Sequence, residues 1–233
     1  MPIFSLICIF TTIKTLLMKK ILALIFTASM ILAANNAYAQ LSVGAGYNNP
    51  VFRNSYSSDA LRLNGFYAGA SYTLPLIGSL KVSPGLYYSF SAANRIDSGK
   101  IFSATLSLKS DLAEHYIDIP VMLSYGIRII PDVKFFAFGG PTLSIGLSST
   151  SGSSVSINIP GSPINDSSKD DNYSEIFSYN RMNLLLGGGL GAELLDHYRV
   201  QISYNFGLLN RSSLGGDYVL LNNRLLVGVA YVF

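Results

Sequence analysis

Apolar side chains recur at every second residue along most of the chain, and this period constrains the fold more than any other feature. The last residues illustrate it, because one phase of the C-terminal stretch holds Leu225, Val227, Val229, Tyr231 and Phe233. Successive side chains of a β-strand point to opposite faces, so this period predicts strands with one apolar face. About eight such segments of roughly 8–14 residues follow one another, which is the length of a tilted strand that crosses a membrane.

The residues that alternate with the apolar stripe include charged side chains that need a polar environment: Lys81, Asp118, Lys134, Arg181, Glu193, Arg199 and Arg224. A soluble barrel of the lipocalin type would place the apolar residues inside, but their volume exceeds that of one small lumen. We therefore expect the apolar face to contact lipid. The lumen of an eight-stranded barrel is just wide enough for side chains. It is predicted to be filled by a polar network of Asp118, Lys134, Arg181, Glu193 and Arg199.

The connections between the predicted strands alternate between short and long. Residues 76–79, 128–132 and 195–197 form the short ones, and residues 48–62, 91–111, 148–180 and 209–222 form the long, polar ones. A membrane barrel has this rhythm because its periplasmic turns are tight and its outer loops are long. The sequence thus predicts an all-β fold: a closed antiparallel up-and-down transmembrane β-barrel of about eight strands.

One hairpin yields a detailed register. If residues 195–197 form a three-residue turn, Glu193 faces Arg199, and Gly191, Gly189 and Gly187 face Gln201, Ser203 and Asn205. Each glycine then leaves room for a polar partner in the lumen, and the facing charges form an opposite-charge pair.

The start of the chain has the features of a secretory leader. Lys19 and Lys20 precede an apolar run over residues 21–34, and residues 37–39 read Ala-Tyr-Ala, an A-x-A cleavage site. We expect translation to start at Met18 and cleavage to follow Ala39. Residues 1–39 are thus an N-terminal extension with a signal peptide, and residues 40–233 are the barrel domain.

Removal of this leader changes the charge and the cysteine content. Of 16 Lys and Arg, the three of the leader are lost, which leaves 13 against 13 Asp and Glu. A chain without net positive charge lacks the basic surface of a nucleic-acid-binding protein. The one cysteine, Cys8, lies in the leader, so no disulfide framework is expected.

The leader, the alternating strands and the terminal Tyr231-Val232-Phe233 resemble bacterial outer-membrane β-barrel proteins. Residues 115–123 (HYIDIPVML) and 136–141 (FAFGGP) resemble the PorT-like outer membrane protein β-barrel domain family of Bacteroidetes. The similarity covers roughly residues 40–233. It implies location in the bacterial outer membrane, contact with outer-membrane lipid, and recognition by the barrel-assembly machinery through Val227, Val229, Tyr231 and Phe233. That last strand would pair with residues 41–47 to close the barrel.

Catalytic and cofactor motifs are weak in this sequence. His115 has Asp111 and Glu114 close by, but no paired serine or oxyanion site is evident. The glycines of residues 187–191 lack the strand–loop–helix context of a nucleotide site, and the acidic residues 165–171 lack the pattern of a calcium loop.

These patterns predict a protein without catalysis, cofactor or metal. It would act in a structural or interaction role through its extracellular loops, with an unknown surface or envelope protein as a possible partner. A narrow pore or a secretion or transport component is one alternative. A lipid-modifying outer-membrane enzyme is the other.

Overall fold

The structure, a computed structural model, describes residues 39–54, 60–101, 104–158, 164–174, 179–212 and 219–233. The predicted extension and signal peptide lie almost entirely outside these residues and stay a prediction. Among the described residues, no helix has the length and apolar character needed to cross a membrane.

Ten strands make up the described chain. They are β1 (Gln40–Asn54), β2 (Leu61–Arg62), β3 (Asn64–Ile77), β4 (Leu80–Ile101), β5 (Ala104–Ile130), β6 (Val133–Asn158), β7 (Ile164–Asp171), β8 (Met182–Leu194), β9 (Tyr198–Gly207) and β10 (Leu220–Val232).

Eight of these strands form one closed antiparallel ring. The order around the ring is β1, β3, β4, β5, β6, β8, β9 and β10, while β2 pairs with β1 and β7 pairs with β6. The ring closes where β10 pairs with β1, from Ser42 opposite Val232 to Asn54 opposite Leu220. The Phe233 amide also donates a hydrogen bond of 2.8 Å to the Leu41 carbonyl. The predicted closed up-and-down barrel is confirmed.

The apolar stripe faces outward, as the alternation predicts. On the hairpin of β8 and β9, the outward Leu190 is 65% exposed, whereas the inward Glu193 is 4% exposed. Aromatic rings also gather outside the barrel at its short-turn end, where the Tyr231 ring lies 5.6 Å from Tyr198 and 5.0 Å from Phe233. Such rings are typical of the interface between a membrane and water.

The predicted register of the β8–β9 hairpin is confirmed in every pair. Glu193 lies opposite Arg199, and Gly191, Gly189 and Gly187 lie opposite Gln201, Ser203 and Asn205. The turn is tight because Leu195 and Asp196 adopt positive φ angles of 54° and 60°. Gly191 also makes room for a lumen ring, since a Cβ there would lie 2.3 Å from the Phe136 side chain.

Two of the predicted long loops are strands over much of their length. β4 and β5 stay paired up to Ile101 opposite Ala104, and β6 continues to Asn158 with β7 beside it. We call this extension the outer ribbon; it consists of residues 93–101, 104–113, 150–158 and 164–171. The prediction of loops over 91–111 and 148–180 was wrong there, because polar side chains occur in both phases of these stretches and no apolar alternation marks the strands.

Candidate functional site

The barrel lumen holds the main concentration of buried polar groups, and its outermost layer is an ion pair. Arg211, from the segment between β9 and β10, donates from Nη1 to both Glu114 oxygens at 3.0 and 3.4 Å. Tyr116 and Ser149 hydroxyls donate to the same carboxylate at 2.5 and 3.1 Å. We call this layer the outer ion pair. A buried carboxylate with these donors is well satisfied.

Arg211 also holds the residues that follow β7. Its Nη2 donates to the Tyr173 hydroxyl at 3.3 Å, and the neighbouring Asn172 amide donates to Ser149 at 3.0 Å. Burial lowers the pKa of Arg211, but Glu114, Tyr116 and Tyr173 together outweigh burial, so the pKa of Arg211 is raised. Burial raises the pKa of Tyr173, which keeps its hydroxyl neutral beside the guanidinium.

A second buried pair lies deeper in the lumen. Arg224 Nη1 donates to both Asp118 oxygens at 2.9 Å, and its Nη2 donates to Ser144 at 2.9 Å. The Ser89 hydroxyl donates to the same carboxylate at 2.5 Å. We call this layer the central ion pair. The two layers thus place two buried ion pairs inside the lumen.

Below the central ion pair, toward the short turns, the lumen contains a cavity. Its volume, counted as the space that the centre of a water molecule can reach, is about 120 Å³. Lys81, Lys134, Glu193 and Arg199 line it, and Arg199 ion-pairs with Glu193 at 2.7 Å. The short-turn end is the periplasmic end in outer-membrane barrels.

Four of the five predicted network residues face this lumen, and one does not. Asp118, Lys134, Glu193 and Arg199 line the cavity, although Asp118 pairs with Arg224 and not with another member of the set. Arg181 lies just before β8 and is exposed. Its guanidinium lies 4.4 Å from the centre of the Tyr173 ring and donates to the Leu147 carbonyl at 3.3 Å.

The outer ion pair was absent from the sequence prediction. Arg211 falls within a predicted polar loop, and no periodicity relates a loop residue to the lumen. Glu114 did carry a signal, because it shares the inward phase of Tyr116 and Asp118 on β5. A carboxylate in that phase requires a buried cation.

The predicted assembly-signal residues all lie on the outer surface. Val227, Val229, Tyr231 and Phe233 share the outward phase of the C-terminal strand, and each is exposed. Recognition of these four residues by the barrel-assembly machinery stays a prediction.

The groups considered for catalysis are separated by the sheet. His115 faces outward, where its Nδ1 lies 2.6 Å from the Tyr88 hydroxyl and its ring packs against Phe90. Glu114 points into the lumen, and Asp111 ion-pairs with Lys109 at 3.1 Å. Within the described ranges, no three His, Cys, Asp or Glu residues are grouped to hold a metal.

The remaining sequence candidates lie in strands or turns. Residues 187–191 belong to β8, and residues 165–171 belong to β7. His197 is exposed in the β8–β9 turn, with its ring 5.7 Å from that of Tyr231.

A comparison with known protein families agrees with this architecture. A family model described as outer membrane protein beta-barrel domain matches residues 32–212. The attachment invasion locus protein Ail of Yersinia pestis, solved with the heparin analogue sucrose octasulfate, is 15% identical over 84% of this chain and 99% of that chain, with a TM-score of 0.40. Neisserial surface protein A is 15% identical over 83% of this chain and 97% of that chain, with a TM-score of 0.40.

The outer membrane protease OmpT from Escherichia coli is also similar, with 9% identity over 84% of this chain and 96% of that chain, and a TM-score of 0.36. No curated protein sequence matches this chain.

Proposed function

This chain belongs to the outer membrane protein β-barrel domain family and resides in the bacterial outer membrane, and on that premise we propose that it is a non-catalytic interaction module. In this proposal the outer ribbon contacts another protein of the cell surface or envelope. The barrel serves to hold the ribbon at a fixed height above the membrane.

The outer ribbon has two edges without a further strand among the described residues, and this observation carries the proposal. Beyond Ala92, the last β4 residue paired with β3, β4 pairs only with β5 among the described residues. On the other side of the ribbon, β7 pairs only with β6 within the same ranges. A sheet edge without a neighbouring strand can accept an added strand from a partner.

The lumen supports this reading over a wide transport channel. The outer and central ion pairs cross the lumen from several strands, since Arg211 reaches Glu114 and Arg224 reaches Asp118. Opening this path would leave buried charges unpaired, which costs several kcal/mol for each pair.

The surroundings of His115 support a non-catalytic role over lipid modification. A catalytic histidine needs a nucleophile and an orienting carboxylate within hydrogen-bond reach. His115 instead bonds the Tyr88 phenol, while the nearest acid in sequence, Glu114, lies on the opposite face of β5 and bonds Arg211.

Finer assignments also belong to this proposal. The stretches 115–123 and 136–141 support membership of the PorT-like branch of Bacteroidetes. Residues 1–39 are proposed to direct export to the envelope, and Phe233 to engage the barrel-assembly machinery. Outer-membrane lipid then contacts the outward stripe.

Photo-crosslinking on intact cells tests the interaction role. A photoreactive amino acid at Asp170, on β7 of the outer ribbon, is compared with one at Ile202, which faces lipid. The proposal predicts a discrete protein adduct at Asp170 and none at Ile202.

A variant with a shortened outer ribbon tests whether the Asp170 adduct depends on the ribbon. Deleting residues 95–110 and joining Asn94 to Asp111 through an Asn-Gly turn keeps the outer ion pair, because these two residues are already cross-strand partners. Heat-modifiable gel mobility checks that the shortened barrel still assembles. Loss of the Asp170 adduct in this variant supports the proposal. Absence of any Asp170 adduct in the unmodified chain, or an altered lipid profile that depends on His115, contradicts it.

A further inference from the structure

The cavity below the central ion pair has more positive charge than its own carboxylates neutralise. Its charged lining residues are Lys81, Lys134, Arg199, Arg224, Asp118 and Glu193. Each carboxylate is ion-paired with an arginine, Asp118 with Arg224 at 2.9 Å and Glu193 with Arg199 at 2.7 Å. Within the described ranges, neither lysine forms an ion pair. The four Lys and Arg side chains of the lining therefore outnumber its two carboxylates by two.

Lys81 lies on β4 and Lys134 on β6, with β5 between these strands, and both side chains line the cavity. The two side chains are close enough to interact electrostatically. The Lys134 chain passes over Gly126, where a Cβ would lie 2.6 Å from its Cε. Lys81 donates one hydrogen bond of 3.1 Å to the Gln40 amide oxygen. Because an ammonium has three N–H donors, donors remain for an additional acceptor.

The wall beside the lysines is apolar. Met122, Phe136 and Phe138 line the same cavity, together with the rings of Tyr67 and Tyr87. The Phe136 and Phe138 rings lie 5.7 Å apart. A small polar ion alone would leave this surface facing water, whereas a ligand with an apolar body would cover it.

The size of the cavity limits the ligand. A single water occupies roughly 10–15 Å³ of the volume that water centres can reach. The cavity has about 120 Å³ of this volume. It therefore holds on the order of ten waters, or one small molecule as large as that group of waters. The central ion pair closes the outer side, and Ser79 of the β3–β4 turn lines the other. A ligand thus enters from the short-turn side.

We propose that this cavity binds a small organic monoanion, with its anionic group on Lys81 and Lys134 and its apolar body against Phe136, Phe138 and Met122. The site faces the periplasm and is independent of the outer ribbon. The site binds the anion but does not let it cross the barrel, because the two ion pairs close the lumen beyond the cavity.

The methionines of the barrel allow a direct test with phenylacetate as the probe. Residues 40–233 contain two methionines, Met122 and Met182. Met122 lines the cavity, whereas Met182 is exposed on the outer surface. The protein is labelled with ¹³C at the methionine methyl groups and titrated in lipid nanodiscs. We expect a saturable shift of the Met122 signal and an unchanged Met182 signal.

Variants and analogues define what the site recognises. Lys81→Gln, Lys134→Gln and their combination should weaken binding, the double variant by about tenfold or more, as expected for lost hydrogen bonds to a charged group. Lys109→Gln, on the outer ribbon, should leave affinity unchanged. Phenylacetamide lacks the charge and acetate lacks the ring, so both should bind more weakly than phenylacetate.

Three results would overturn the proposal. They are the absence of a saturable Met122 shift, unchanged affinity in all the lysine variants that assemble, and acetate affinity equal to that of phenylacetate. Heat-modifiable mobility identifies the variants that assemble. The two single variants keep the test decisive if the double variant fails to do so.

Discussion

Arg211 and Glu114 are separated by 97 residues in sequence, yet the guanidinium donates at 3.0 Å to the carboxylate inside the barrel. Their side chains are 1% and 0% exposed. The contact ties the segment between β9 and β10 to the inward face of β5. It closes the outer end of the lumen with a fixed, charged cross-link.

Replacing Arg211 by methionine should destabilise the barrel strongly. The variant leaves the Glu114 carboxylate buried without its cation, a change that costs about 3–5 kcal/mol. The urea midpoint of unfolding in lipid vesicles, followed by heat-modifiable gel mobility, measures the effect. Arg128→Met is the matched control, because the Arg128–Asp196 pair is 47% and 53% exposed, and such pairs contribute less than about 1 kcal/mol.

A double variant separates the buried charge from loss of packing. Adding Glu114→Gln to Arg211→Met removes the uncompensated carboxylate, so we expect much of the lost stability to return. Equal midpoints for Arg211→Met and Arg128→Met would show that the outer ion pair does not stabilise the barrel.

A methyl group at Gly191 should also destabilise the barrel. The Cβ of Gly191→Ala would lie 2.3 Å from the Phe136 ring, which then has to move. Overpacking of this kind costs about 1–3 kcal/mol. At Gly152 the nearest atoms would lie 3.8 Å away, so Gly152→Ala is the control and should leave the urea midpoint unchanged. Phe136→Leu should restore part of the stability of Gly191→Ala, and an absence of any difference between the two glycines would contradict the lumen packing.

The filled lumen predicts a barrel that does not conduct ions in steps. Planar-bilayer recordings of the wild-type chain should show no stepwise conductance, because two ion-paired layers obstruct the path. Replacing both partners of one ion pair by alanine leaves the other ion pair in place. This variant should therefore still show no stepwise conductance. Alanine at all four residues, Glu114, Arg211, Asp118 and Arg224, should open a path. Regular steps from the wild-type protein would contradict the filled lumen.

Deleting Phe233 should reduce the amount of barrel in the outer membrane. Its ring is exposed, and its amide bonds Leu41 across the closing strand pair. Phe206→Ala is the control, since Phe206 is likewise an outward aromatic residue but lies on β9. We expect a lower outer-membrane yield only for the deletion, measured by quantitative blotting of membrane fractions. Similar yields for both variants would argue against a signal at the C-terminus.

The sequence predicted the barrel well where one face of a strand is apolar and outward and the other carries polar side chains. There the period of two carries a strong contrast, as on β8 and β9, where even the residue pairs are correct. It failed at the outer ribbon, because the end of β6 carries serines in both phases and therefore lacks this contrast. It also failed at Arg211, because a loop residue that enters the lumen has no periodicity to mark it. Arg181 shows the opposite error: it has the inward phase but precedes β8 and remains exposed.

The direction of the apolar stripe is tested most directly by tryptophan fluorescence in brominated lipid. The chain contains no tryptophan, so Ile202→Trp and Gln201→Trp each introduce a single fluorophore at neighbouring positions. Ile202 faces outward, whereas Gln201 lines the lumen cavity. We predict strong quenching by brominated acyl chains at position 202 and little at position 201. Equal quenching at both positions, or stronger quenching at position 201, would contradict a barrel with its apolar face in lipid.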